Sequence, residues 1–535
     1  MPELRLLETV IVLLVAVLAL VTIARRVLIP YPIFLVLGGL VLSVVPNVPI
    51  VRLDPDLVFL IFLPPILWAA AYFTSLRDFR ANLRPITLLA VGLVMATTAA
   101  VAAVARLLIP GLSWPVALAL GAIVSPPDAV AATAVARRLG IPYRIVTVLE
   151  GESLINDAAA LVLYRTAVAA AVTGAFALTE ALWQFVLTSA GGVLIGLIVG
   201  GVACRALRLT DDSVAETAVT LLAPYAAWIL AERTHTSAVL ACVAGGLYFR
   251  QGFSAAAAPA TRLQTKAVWD LLVFVLNGVI FVLIGLQLGA IRETGLPGNL
   301  GALVWRGAMI SLTAIGVRLV WVPLAVVVPR LVSPTLRQRD PIPPWPYVLL
   351  LAWIGMRGIV SLAAALALPV TTASGAPFPF RDEIILLTFA VILSTLVLQG
   401  LSLTPLIRAL NLDEDRTLDL EEASAREEAA RAALAHLDHL ATASWPRREH
   451  VERLRAIYTQ RIRRASPIDV GDSAEAARAQ AAYRRLRHET LTAERRALIA
   501  LRDQGAISDE ILHRLEQELD VEATRIGLGE ARLND

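Results

Sequence analysis

Long apolar stretches alternate with short polar or proline-containing segments along most of the chain. They fall roughly at 7–24, 31–46, 57–73, 86–109, 114–136, 147–172, 181–204, 215–231, 236–250, 268–290, 302–328, 346–370 and 384–408. A hydrocarbon layer about 30 Å thick needs about 20 helical residues, fewer where a helix is broken. The pattern therefore predicts an all-α polytopic membrane protein with about 13 transmembrane helices. Arg25-Arg26 follows the first stretch, which has no small-residue cleavage site, so that stretch reads as a span and not as a removable signal. Beyond residue 410 the pattern turns amphipathic. Val451, Leu454, Ile457, Tyr458 and Ile462 share one helical face, as do Ile511, Leu512, Leu515 and Leu519, with Asp509 and Glu510 suited to a first turn and Pro467 and Gly471 marking a break. Two domains are expected: a membrane body over 1–410 and a helical domain over 411–535.

Composition agrees with this division. Of 535 residues, 57% are apolar and 17% charged, against about 25% charged in ordinary soluble domains, which excludes a wholly soluble protein. The tail carries 20 basic and 25 acidic residues and the body 27 and 19, so the charge is about −5 in the tail and +8 in the body. Basic residues crowd alternate loops of the body, among them Arg77, Arg80, Arg84, Arg137, Arg138 and Arg144. By the positive-inside rule this places the N-terminus outside and the tail in the cytoplasm of a multi-pass cell-membrane protein. Cys204 and Cys242 lack metal-ligand spacing and read as packing residues. His436, His439 and His450 could sense pH in the tail, although solvated surface histidines are the more common case. No cofactor and no nucleic-acid partner is expected.

Charges inside apolar stretches are costly and therefore candidate functional residues. They are Asp128, Glu152, Asp157, Arg318 and Arg357. Asp128 closes the run Ser125-Pro126-Pro127-Asp128, where two prolines remove backbone donors and the helix must unwind. Unwound backbone at membrane depth lines cavities, and its carbonyls can coordinate a cation; Asp128 would cap the half-helix that follows, 129–136. A simple capped kink is the alternative. In the sixth stretch Ser153 stacks with Asp157 and Glu152 with Asn156, four residues apart on a helix. The first pair offers a hydroxyl and a carboxylate to one point, suited to a small cation or a proton; carboxylates that merely pin helices together are the alternative. Arg357, between Gly355 and Gly358, is the expected counter-charge, and those glycines predict a second broken helix. The two breaks fall in the fifth of the first six and the fifth of the last six stretches, the positional pointer to an inverted-repeat transporter.

The run Gly151-Glu152-Ser153-Leu154-Ile155-Asn156-Asp157, with Leu63-Pro64-Pro65 upstream and Gly355-Met356-Arg357-Gly358 downstream, resembles the cation:proton antiporter-1 family, the sodium/proton exchangers of bacteria, plants and animals. The resemblance covers about residues 10–408. It implies a dimerisation domain beside a mobile core of six helices, two of them broken and crossing near the ion site, and homodimers as the usual state. It implies Asp157 as the transport carboxylate, Ser153 as a cation ligand, Asn156 as its neighbour and a Glu152–Arg357 ion pair, with Na+ or K+ held at Asp157 and Ser153. Two departures bear on selectivity. Pro127-Asp128-Ala129 stands where the family commonly has Thr-Asp-Pro, and Trp68-Ala69-Ala70-Ala71 stands where many members carry an acid. Asn156 occupies the place of a second aspartate in related transporters, which implies one proton per cation.

The expected function is exchange of a monovalent cation, Na+ first with K+ or Li+ as alternatives, for H+. A cation channel or a membrane-anchored sensor is the competing class. An enzyme is not expected, because His235 is the one histidine of the body, no His-Glu-x-x-His run occurs, and no serine sits in a Gly-x-Ser-x-Gly elbow.

Overall fold

A computed structural model describes residues 2–27, 30–45, 53–128, 130, 133, 141–174, 178–210, 212–293, 300–410, 417–443, 445–465, 473–504, 506 and 508–525. The chain forms two compact units, Met1–Asp415 and Arg416–Asp535.

The first unit begins with α1 (Pro2–Val27), α2 (Tyr31–Leu42), α3 (Pro55–Phe73), the short α4 (Leu76–Ala81), α5 (Leu83–Leu108) and α6 (Trp114–Val124). It continues with α7 (Tyr143–Thr173), α8 (Leu178–Leu207), α9 (Ser213–Arg233), α10 (Ala238–Ala256), α11 (Pro259–Glu293) and α12 (Leu300–Val332). The short α13 (Pro334–Arg339), then α14 (Trp345–Trp353), α15 (Ile359–Leu366) and α16 (Arg381–Ala409), complete it. Among the described residues eight helices are long and apolar enough to cross a membrane, and Ile11–Ala24, Tyr31–Leu42 and Trp114–Val124 are shorter apolar helices.

Local chemistry sets the boundaries. Asp212 caps α9 by accepting from the Val214 and Ala215 amides at 3.2 and 3.1 Å, and Ser237 caps α10 through the Leu240 amide at 3.3 Å. Gly174, at φ +74°, ends α7 in the left-handed conformation that a side chain disfavours. Both expected interruptions are present: α6 stops at Val124 before the two prolines, and residues 354–358 separate α14 from α15.

The helices of this unit pack as two groups. In one, α5, α6, α7, α12, α14, α15 and α16 surround the two interruptions; in the other, α1, α2, α3, α8, α9, α10 and α11 pack together. Close seams mark the second group. A Cβ on Gly196 of α8 would lie 2.3 Å from the Ala241 carbonyl oxygen of α10, so the backbones meet there because neither helix interposes a side chain. Cys204 and Cys242 are buried thiols in the same group, donating to the Phe249 and Pro224 carbonyls.

The second unit contains α17 (Thr417–Leu440), α18 (Arg448–Ala465), α19 (Ser473–Asp503) and α20 (Asp509–Arg525), packed as the pairs α17/α18 and α19/α20. Arg455–Asp438 joins the first pair, and Arg487–Glu522 with Arg495–Asp520 joins the second. Val451 and Leu512 are buried, whereas Leu454, Ile457 and Ile511 of the expected apolar faces stay exposed. The expected break at Pro467 and Gly471 lies outside the described residues.

Candidate functional site

The two interruptions touch. The Asp128 amide donates to the Met356 carbonyl at 2.6 Å, and a Cβ on Gly358 would stand 2.0 Å from the Asp128 carboxylate. Gly358 is therefore the notch into which the Asp128 side chain fits. Asp128 also accepts from the Val130 amide at 2.8 Å, the geometry of a capping aspartate. Of the half-helix expected over 129–136, only residues 130 and 133 are described.

Carbonyls orphaned by a broken helix need donors. Arg357, 1% exposed, supplies them: its Nε donates to the Val124 carbonyl at the end of α6 at 3.0 Å and its Nη1 to the Gly355 carbonyl in the second interruption. Its own amide donates to Thr395 Oγ1 at 3.2 Å. One guanidinium thus staples both breaks, and Ser125 closes the first by donating to the Ala122 carbonyl at 3.0 Å. Pro126, Pro127, Gly355 and Gly358 are all buried around it.

The helix α7 passes beside this crossing. Asn156, fully buried, donates through Nδ2 to the Pro127 carbonyl at 3.1 Å, while its Oδ1 has no partner among the described residues. Its amide nitrogen is thus committed to the unwound chain. Glu152 forms a bidentate pair with Arg318 of α12 at 2.5 and 2.8 Å, both side chains 1% exposed. This corrects the expected Glu152–Arg357 pair. The physical reason is steric: Arg318 runs along the Gly355 backbone, where a Cβ would stand 2.7 Å from its Cδ, and reaches Glu152 first. Arg357 is occupied by the carbonyls.

Asp157 lies one turn beyond Glu152 and is 7% exposed. Its carboxylate makes no hydrogen bond or ion pair among the described residues, and the Asp128 carboxylate is its nearest charged influence. Ser153, one turn before Asp157 on the same face, is half-buried. A cavity of about 1050 Å³ reaches Ala158, the residue after Asp157, and widens between α7, α8 and α9 toward Arg165, Glu232 and His235. Arg165 and Glu232 pair across it at 3.1 Å, from one helix group to the other. This pair went unseen in the sequence because Arg165 lies inside one stretch and Glu232 at the end of another, and nothing local to the chain links them.

A family model described as "Sodium/hydrogen exchanger, transmembrane" matches residues 11–409. A protein of Mycobacterium tuberculosis named as an uncharacterized Na(+)/H(+) exchanger is 36% identical over 531 residues, 97% of this chain and 96% of the relative. A sodium, potassium, lithium and rubidium/H(+) antiporter of Bacillus pumilus is 36% identical over 405 residues, 74% of this chain and 60% of that protein. The sodium proton antiporter MjNhaP1 of Methanocaldococcus jannaschii, solved at pH 8, superposes with a TM-score of 0.59 at 19% identity, over 77% of this chain and all of that one. That likeness carries the fold alone.

Proposed function

The chain belongs to the sodium/hydrogen exchanger family, a family of multi-pass secondary transporters, and from that premise we propose that it exchanges one monovalent cation for one proton at Asp157. The observation that carries this reading is the charge at the crossing. Among the described residues the crossing gathers three carboxylates, Asp128, Glu152 and Asp157, and two guanidinium groups, Arg318 and Arg357. Glu152 is neutralised by Arg318, and one negative charge remains to be met by a single cation or a single proton. A carboxylate shut away from water must be neutralised one way or the other, so arrival of one ion expels the other.

Ser153 contributes a hydroxyl oxygen to the cation, and the carbonyls of the unwound runs around Pro127 and Gly355 supply further hard oxygen. Asn156 holds the first run in register. Asp128 caps its half-helix and adds to the negative field at Asp157. The body comprises 13 spans in an inverted repeat, N-terminus outside, and works as a homodimer in the cell membrane with the tail in the cytoplasm as a regulatory or assembly domain. With that orientation the cavity ending at Ala158 opens outward. The group of α5, α6, α7, α12 and α14–α16 then moves against the other group to expose the loaded site alternately to each face. Na+ is the principal cation, with K+ and Li+ as further candidates supported by the name of the Bacillus relative.

The test is reconstitution into proteoliposomes with an internal pH dye, each alkali cation applied in turn. Cation-driven proton movement that is insensitive to a valinomycin-clamped potential and absent in Asp157→Asn is expected. Exchange that carries net charge would overturn the one-for-one stoichiometry. Absence of exchange with every cation would favour a channel or sensor instead.

A further inference from the structure

A further buried carboxylate stands apart from the crossing, in the other helix group. Along the seam between α9 and α11 the facing residues are polar although every one is buried: Glu216, Thr217 and Thr220 on α9, Thr261, Thr265 and Trp269 on α11, none more than 5% exposed. Glu216 and Thr220 are four apart and share a face, and Thr261, Thr265 and Trp269 form one row in steps of four. The upper part of the seam is closed by its own hydrogen bonds. Trp269 Nε1 donates to Thr220 Oγ1 at 3.0 Å, and the Thr217 and Thr265 hydroxyls pair at 3.1 Å. One turn lower the bonding stops. Glu216 Oε2 and Thr261 Oγ1 are both sealed from solvent, and neither has a partner among the described residues.

An ionised carboxylate in such a place needs a counter-charge. Among the described residues the helices packed against α9 offer none that reaches it. On α11, Lys266 pairs with Asp270 at 2.6 Å, and Arg262 donates to the Ala257 carbonyl at 3.2 Å. On α10, Arg250 donates to the Tyr72 carbonyl at 3.0 Å. Arg205 and Arg208 lie on α8 or just beyond it with no ion pair to Glu216, and α3 brings no charge to this end. A subunit partner cannot supply it either, because Glu216 Oε2 is already enclosed by this chain.

We infer that Glu216, Thr261 and Thr265 form a second alkali-cation site, distinct from the exchange site. One carboxylate with hydroxyl oxygens is hard-oxygen chemistry. A single negative charge matches a monovalent ion, whereas Ca2+ takes six to eight oxygens and commonly several carboxylates. A proton would satisfy Glu216 and leave the Thr261 oxygen as it is; a cation uses both. Bound there, the ion ties α9 to α11 within the group that does not carry Asp157.

The experiment uses the purified full-length chain with Asp157→Asn, so that the exchange site is neutral throughout. Thermal unfolding is compared in Na+, K+ and Li+ salts and in N-methylglucamine at equal ionic strength. A melting temperature raised by at least one alkali cation is expected, because a ligand that binds the folded state stabilises it. That rise is expected to vanish in Asp157→Asn/Glu216→Gln and to fall by more than half in Asp157→Asn/Thr261→Val. No rise in Asp157→Asn, or an equal rise once Glu216→Gln is added, overturns the inference and leaves a proton or a water at Glu216. If the Gln variant does not fold, an undiminished rise with Thr261→Val decides against it equally. Since Asp157 is neutral in every arm, the outcome does not depend on its assignment as the transport carboxylate.

Discussion

Glu152 and Asp157 lie five residues apart on one helix, both buried, yet their surroundings differ in the one respect that separates a structural charge from an exchangeable one. Glu152 is held by two hydrogen bonds from Arg318, which itself is wedged past Gly355. A guanidinium so fixed cannot be displaced by a hydrated cation without leaving two buried charges alone. Asp157 has no such clamp among the described residues, feels the charge of another carboxylate, and is followed in the chain by Ala158, which lines a cavity. Burial alone thus says little about role. The partner decides it.

The sharpest way to break this contrast is to neutralise each acid in turn. Asp157→Asn is expected to abolish exchange while leaving the melting temperature unchanged or higher, because it removes a buried carboxyl group that no described residue holds; a lowered melting temperature measured in detergent would mean that Asp157 is structural after all. Arg318→Ala should behave in the opposite way. It strands Glu152 and is expected to cost about 3–5 kcal/mol of stability, readable by denaturant unfolding, with most of that recovered in Arg318→Met/Glu152→Leu. Gly358→Ala pushes a methyl group into the Asp128 carboxylate and should lower exchange about tenfold or more, equal to about 1.4 kcal/mol in the rate-limiting barrier, with a small effect on melting.

A smaller effect sharpens the comparison at the end of the same helix group that carries Arg144. Asp340, between α13 and α14, accepts from Arg84, Arg144 and Arg330 at 3.0, 2.9 and 2.7 Å. Burial pushes its carboxyl up, but the Arg144 hydrogen bond and the charges of Arg144, Arg330 and Arg84 outweigh that and hold it below its ordinary 3.8. A carboxyl lowered on folding adds stability that is present above its unfolded value and is lost as pH falls through the folded one. Asp340→Asn is therefore expected to melt lower than the parent near neutrality, the gap closing as pH drops below 3.8. A gap that persists undiminished in acid would show that the three arginines are held by something else.

Much of this was legible in residue order. A run of apolar residues long enough to cross the membrane has few alternatives to helix, since every backbone group must be satisfied inside it, and the helices do fall on the apolar stretches. Two consecutive prolines, and glycines flanking an arginine, each announce an interruption from chemistry local to the chain. The motif from Gly151 to Asp157 marked the helix that passes the crossing. Charge density separated the amphipathic end from the apolar body.

Contacts across the fold were not legible. Sequence identified Arg318 and Arg357 as two buried cations and, by resemblance, gave Glu152 the wrong one; only the path of Arg318 past Gly355, and the carbonyls of two separate breaks converging on Arg357, assigned them. Glu216 drew no notice, because a carboxylate two residues inside a span looks like an ordinary first-turn acid until α11 closes over it with threonines. What the sequence determined by itself is what depends on neighbours along the chain: helix, interruption and which residues are too polar for their place. The tertiary structure alone decided which of those charges are answered, since a counter-charge is found across space, and the distance to it is set by packing between helices that the sequence separates by more than a hundred residues.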